Sequence, residues 1–170
     1  PGDEFINTLA GVVRAFPLIP VVGSGNVRLQ PISVEEVGAM VSLVIDDPHF
    51  GGRTIEIGGP EHLTYNEIVD IIRRTLKVRR LKAHLPVPLM KRITRIMEAV
   101  ISNPPVTSSQ LELLALDNVT DTNAVEKTFK MKPRFLEGNI RYIQSMSLWE
   151  AWKIVLGFRY HLCRRPTSLC

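Results

Sequence analysis

Apolar positions along the first seventy-seven residues alternate between helical and strand spacing. Phe5, Leu9, Val12, Val13 and Phe16 recur on one face and predict a helix over 4–16, stopped ahead of Pro17. Val21 and Val22 lead into Gly23-Ser24-Gly25-Asn26, a turn signal. Residues 27–32 then alternate like a strand, with Val27, Leu29 and Pro31 on one face and Arg28, Gln30 and Ile32 on the other. Pro31 marks a strand end or edge, because proline cannot donate to a ladder. Ser33 with Glu36 reads as a capping box and predicts a helix over 34–45 that buries Val37, Met40, Val41 and Val44. Residues 54–57 predict a short strand ending at Gly58-Gly59-Pro60. Thr64 with Glu67 repeats the capping box and opens a helix whose Ile68, Val69, Ile71, Ile72 and Leu76 face inward. Arg73, Arg74 and Lys77 suit the negative end of its dipole.

Beyond Arg79 the periodicity is mostly helical. Leu89, Met90, Ile93, Ile96, Met97, Val100 and Ile101 fall on one face of a helix that carries Lys91, Arg92, Arg95 and Glu98 on the other. Asn103-Pro104-Pro105 breaks it. Shorter helices are expected over 107–116, 123–129 and 136–143. A last one, over 148–162, carries Trp149, Trp152, Phe158 and Tyr160. Strand followed by capped helix, twice, is the unit of a parallel α/β sheet. The expected fold is therefore α/β: the last strands of a Rossmann-like sheet over 1–78, a helical lobe over 79–145, and an aromatic, basic tail over 146–170.

Composition excludes several classes. The 170 residues are 45% apolar and 22% charged, which rules out disorder and collagen. No apolar run approaches the roughly 20 residues of a bilayer-spanning helix. Cys163 and Cys170 lie together at the end of the chain, so neither a disulfide framework nor a structural metal site is indicated, and a reducing, cytoplasmic setting is the default. The chain opens on Pro1 with neither an initiator Met nor a leader pattern, and the expectation is a fragment of something longer.

Charge is unevenly placed. Residues 1–70 hold 10 acids and 3 bases, net −7, whereas residues 71–170 hold 7 acids and 18 bases, net +11. The basic half is where an acidic partner would sit. A basic amphipathic helix of this kind docks on an anionic membrane surface or an acidic partner, and the Trp-rich tail is a second candidate for such contact. Nucleic acid is not expected, since no aromatics interleave the basic stretch.

Candidate chemistry is sparse. Gly23-Ser24-Gly25 and Gly58-Gly59-Pro60 both fall short of the G-x-G-x-x-G spacing that brings backbone up to a pyrophosphate. The tyrosines are followed four residues later by Val69, Met146 and Arg164, so no Tyr-x-x-x-Lys pair sets a lysine against a phenol. Ligands of parallel α/β sheets bind beyond the strand carboxyl ends, which here are Ile32-Ser33 and Gly58 to Glu61. Gln30, a strand amide able to donate and accept, and Ser33, at a helix start, are the candidate substrate-side residues. No catalytic, cofactor-binding or metal-ligating residue is assigned.

The stretch Gln30-Pro31-Ile32-Ser33-Val34-Glu35-Glu36-Val37, then Gly52-Arg53-Thr54-Ile55-Glu56-Ile57-Gly58-Gly59-Pro60 and Leu63-Thr64-Tyr65-Asn66-Glu67-Ile68-Val69, resembles the carboxyl-terminal half of an extended or atypical short-chain dehydrogenase/reductase. Leu85-Pro86-Val87-Pro88-Leu89, Asn103-Pro104-Pro105-Val106-Thr107 and Leu114-Ala115-Leu116-Asp117-Asn118-Val119 make it similar, within that superfamily, to the NAD(P)H-binding accessory subunits of respiratory complex I and their bacterial relatives. The likeness covers roughly residues 1–145. It implies that the glycine-rich dinucleotide loop and the Tyr/Lys pair belong to an amino-terminal Rossmann half missing from this chain. NAD or NADP would then be a cofactor of the intact parent, with none expected for this chain alone. Nucleotide-sugar epimerases of the superfamily place an Arg just before the position of Gln30 to hold phosphate. Leu29 stands there instead, which argues against such a substrate. The expected role is the non-catalytic, substrate-side portion of an NAD(P)-binding oxidoreductase- or epimerase-like protein. The alternative is an association module on a membrane surface or respiratory complex.

Overall fold

The computed structural model describes residues 4–100, 104, 107–113 and 116–156. Residues 1–3, Ile101 and everything past 156, including Phe158, Tyr160, His161 and both cysteines, lie outside the described residues. Helix α1 (Glu4–Ala15) ends before Pro17, and β1 (Leu18–Val22) follows. Gly23 and Gly25 take φ of 58° and 69°, the left-handed turn that the sequence signals. Next come β2 (Arg28–Leu29), α2 (Val34–Asp46), a 3-10 turn (Pro48–Phe50), β3 (Leu63–Thr64), α3 (Tyr65–Leu76) and β4 (Leu81–Leu85). The carboxyl-terminal part is helical: α4 (Val87–Val100), α5 (Ser108–Leu113), α6 (Ala124–Phe129), α7 (Leu136–Asn139), a 3-10 turn (Arg141–Ser145) and α8 (Leu148–Val155).

The fold is mixed α/β around a small parallel sheet. β1 pairs in parallel with β4, Leu18 opposite Leu81 and Val22 opposite Leu85, while β2 pairs antiparallel with β3. A parallel pair needs a crossover, and α3 lies immediately before β4 to provide it. Ile6, Leu9, Ala10 and Val13 of α1 meet Ile19 of β1 and Ile68, Val69, Ile71, Ile72 and Leu76 of α3 in the main core. Leu136, Ile140 and Ile143 close it from the far end of the chain, and α8 packs on α1. Met40, Val125 and Phe129 form a second cluster that joins α2 to α6.

Both capping boxes form as the spacing predicts. Ser33 and Thr64 accept backbone N–H groups of the first turn, and Glu36 and Glu67 return to the cap N–H groups. Every predicted inward residue of α3 is buried. Elsewhere the predicted faces are rotated. Phe5 is exposed while Ile6 is buried, because the Phe5 ring lies edge-on against Tyr65 at the rim of the core. Val41 is also exposed; α2 buries Met40 as expected and turns inward Glu36, whose carboxylate is held by Arg134.

Two strands contract. The expected strand over 27–32 keeps ladder pairing only at Arg28–Leu29, plus a bridge from Leu29 to Asn118. The expected strand over 54–57 does not form: among the described residues it has no ladder partner. Side chains fix it instead, Ile55 entering the α2–α6 cluster and Glu56 accepting from the Thr120 hydroxyl.

Candidate functional site

Gln30 and Ser33, the residues expected on the substrate side, sit where β2 gives way to α2. There the segment holding Gly58 and Gly59 crosses close to the chain leaving β2. The Gln30 Nε2 donates to the Gly59 carbonyl at 2.7 Å, and its Oε1 accepts the Thr120 N–H at 2.7 Å. The Gly59 N–H donates to the Gln30 carbonyl at 3.4 Å. Gly59 must be glycine for this approach, since a Cβ there would lie 1.9 Å from the Pro31 carbonyl oxygen. Gln30 thus ties two loops to one strand end. Among the described residues its second amide N–H has no acceptor.

Ser33 stands three residues further on. Its Oγ accepts the Glu35 N–H at 3.3 Å, and its own N–H donates to Glu36 at 3.3 Å. The hydroxyl proton has no acceptor among the described residues. The structure therefore brings Gln30 and Ser33 to one rim, each with a donor left over.

Sequence reasoning missed the loop that completes this rim. Asp117 accepts from the Arg28 N–H at 2.9 Å and from its Nε at 2.8 Å. The Asn118 N–H donates to the Arg28 carbonyl at 2.9 Å. The Arg28 N–H, and then its guanidinium, hold the Asp117 carboxyl below its ordinary value of 3.8. His62 Nε2 donates to the Thr120 carbonyl at 2.8 Å. The one sequence signal for this loop was Asp117-Asn118 within the quoted family pattern; nothing in the local spacing linked it to Arg28, 89 residues away.

These groups position backbone; they do not form a nucleophile–base pair. Tyr65 packs edge-on against Phe5 with ring centroids 6.5 Å apart. Burial pushes its phenol up to about 12, so it stays protonated at neutral pH. Among the described residues no three His, Cys, Asp or Glu side chains gather as a metal site. Two grooves, of about 480 and 500 Å³, lie elsewhere, at the carboxyl end of α3 around Arg73, Arg74 and Lys77 and between α3 and α7 around Arg74 and Glu137. Neither is lined by Gln30 or Ser33.

A small parallel sheet flanked by helices, bordered by a loop-built rim, makes this a mixed α/β protein of Rossmann-like character. Its relatives sharpen that class. The chain is 25% identical over 135 residues to the mitochondrial NADH dehydrogenase (ubiquinone) 1 alpha subcomplex subunit 9 of Arabidopsis thaliana, covering 76% of this chain and 34% of that protein. It is 26% identical over 125 residues to the Dictyostelium discoideum protein of the same name, covering 72% and 35%. It is 27% identical over 103 residues to the mitochondrial NADH-ubiquinone oxidoreductase 40 kDa subunit of Neurospora crassa, covering 61% and 27%. The chain thus spans about a third of the length of these curated relatives. No protein-family model matches it.

Proposed function

We propose that this chain is the substrate-side, carboxyl-terminal portion of a longer NAD(P)-binding protein of the short-chain dehydrogenase/reductase type, and that it does no catalysis alone. The observation that carries this reading is the sheet. Partners in a parallel ladder share a face, so the β1–β4 register divides the side chains in two. Ile19 and Val21 are buried, and Lys82 and His84 on the same face reach Asp70 and Asn66 of α3. The opposite face carries Leu18, Pro20, Val22, Leu81, Ala83 and Leu85, all apolar, with Leu18 51% and Leu81 72% exposed. Parallel sheets are covered by helices on both faces. A two-stranded one, half uncovered, fits a unit whose remaining strands and helices belong to another segment.

That segment would hold NAD or NADP on its own glycine-rich loop. The expected boundary at residue 78 moves, because β4 belongs to the sheet: β1 and β4 would complete that segment's sheet, the helices over 87–145 would form the lobe beside the substrate, and Gln30 and Ser33 would line the pocket. The relatives, subunits of NADH dehydrogenases, support a nicotinamide-linked setting. They also favour a second reading, in which the chain associates with a respiratory complex without catalysing anything.

Titrating NADH and NADPH against the chain, alone and joined to the preceding segment of its gene, tests the first reading. Quenching of dinucleotide fluorescence is expected only in the joined protein. Micromolar binding by the chain alone overturns it.

A further inference from the structure

Helix α4 presents to solvent a face that the fold does not use. At about 100° per residue, Leu89, Ile93, Ile96 and Val100 fall on one narrow stripe. They are 44%, 36%, 61% and 78% exposed, so the stripe opens further toward the helix end. Only Met90 and Thr94, around one flank, are buried. Around the other flank stand Arg92 and Arg95, both exposed. The helix has one acid, Glu98, on the side away from the stripe. It is engaged there by the Ser108 N–H at 2.6 Å and the Ser108 hydroxyl at 2.8 Å. Lys91, also turned away, pairs with Glu112 at 3.5 Å. The open arc of α4 therefore combines an unbroken aliphatic stripe with Arg92 and Arg95 beside it, while the one acid of the helix, Glu98, lies beyond Arg95 on the side away from the stripe.

From this arrangement we infer that α4 is a docking surface for an anionic lipid bilayer, lying in the headgroup plane with its stripe in the acyl boundary and Arg92 and Arg95 on the phosphates. The 14 residues of α4 form a helix too short to cross a bilayer, and no described helix is long and apolar enough to do so. A helix that lies on the surface needs what α4 has: an apolar stripe edged by cations. A second copy of the chain fits poorly, because a symmetric contact through this stripe would bring four guanidinium groups together with no acid to offset them. The stripe also has no polar side chain with which to form the hydrogen bonds that fix a protein partner. The inference is independent of whether the chain handles a dinucleotide.

Flotation of the 170-residue chain with vesicles at low salt is the test. Phosphatidylcholine vesicles containing phosphatidylserine should carry the chain upward, and pure phosphatidylcholine vesicles should leave it behind. Ile96→Asp should weaken partition about tenfold. Arg92→Ala and Arg95→Ala should each weaken it about fivefold, with the difference shrinking as salt rises. Ile96 is largely exposed, so circular dichroism and the unfolding midpoint of Ile96→Asp should match the parent chain. Four results overturn the inference: no flotation on anionic vesicles; flotation that Ile96→Asp leaves unchanged; loss on Trp149→Ala instead, which moves the contact to α8; or a dimer in sedimentation that Ile96→Asp dissolves, which assigns the stripe to a second copy.

Discussion

Helices α3 and α4 flank the same strand, β4, and both are strongly amphipathic, yet they use their apolar faces in opposite ways. On α3, Ile68, Val69 and Ile72 are completely buried and Ile71, Thr75 and Leu76 nearly so. On α4 only Met90 and Thr94 are buried, and four aliphatic residues stand open. Periodicity says that a helix has an apolar face. It does not say what covers that face. Where α1, β1 and α3 converge the face is consumed by folding; on α4 it is left for something else.

The sharpest way to break this contrast is a pair of truncations. Ile72→Ala removes three buried carbons from the core between α1 and α3 and should cost about 3 kcal/mol, within the range of roughly 2–5 for large-to-small core changes. Ile96→Ala, the same change on α4, should stay within about 0.5 kcal/mol, as surface changes do. Urea unfolding of both variants measures the difference. Equal losses would mean that α4 is as integral to the fold as α3.

A second test moves to the segment that feeds α3. A Cβ on Gly59 meets a backbone carbonyl, and backbone cannot swing aside as a long side chain does. Gly59→Ala should therefore part the Gln30 strand end from its loop and cost about 2 kcal/mol, in the range of overpacked sites. A midpoint unchanged by Gly59→Ala would show that the crossing is loose and that the rim around Gln30 and Ser33 is not held as described.

These two sites also mark how far the sequence could be read. α3 was legible in full, because a capping box, a helical period and a basic last turn all point to one element. The α/β class holds, but not through the strands that pointed to it: the parallel pair is β1 with β4, and β4 lies in a stretch whose periodicity reads as helical, while β2 pairs antiparallel with β3. The strand expected over 54–57 does not form because alternation signals a strand only where a neighbour supplies a ladder, and none does among the described residues. The open face of α4 was invisible, since burial is a property of neighbours and not of spacing. At the site, Gln30 and Ser33 stood out as polar residues beside a helix start. Asp117 and Thr120 did not, because their partners lie far away in sequence and only the folded chain joins them.

Smaller effects sharpen the contrast at the helix entrance. Thr64 satisfies the Glu67 N–H at 3.2 Å and is itself answered by the Glu67 carboxylate at 2.7 Å. Thr64→Ala should cost about 1 kcal/mol, and Thr64→Ser much less, because serine keeps the capping oxygen. Thermal unfolding of the two variants separates the cap from the methyl group.

The smallest expected effect is electrostatic, and it too should belong to the α3 side. Asp70 bonds to Lys82 of β4 and to Arg73, both at 2.8 Å. Burial pushes its carboxyl up, but the bonds and charges of Lys82 and Arg73 outweigh burial and leave it below the ordinary value of 3.8. A carboxyl depressed in the folded state stabilises the fold above its unfolded value, and that contribution is lost as pH falls through 3.8 toward the lower folded value. With 40% of the Asp70 side chain open to water, solvent screens the pairs and the contribution should be under about 1 kcal/mol. Asp70→Asn should therefore lower the unfolding free energy slightly at neutral pH, and the difference should vanish only once the pH has fallen below the folded value, where both chains carry a neutral group. Glu98 on α4 is also held low, first by the Ser108 N–H, but it stands in open solvent, and Glu98→Gln should flatten the acid limb less than Asp70→Asn does. If the two variants flatten it equally, the strand–helix bond at Asp70 does no more for the fold than a surface cap, and α3 loses its electrostatic distinction from α4.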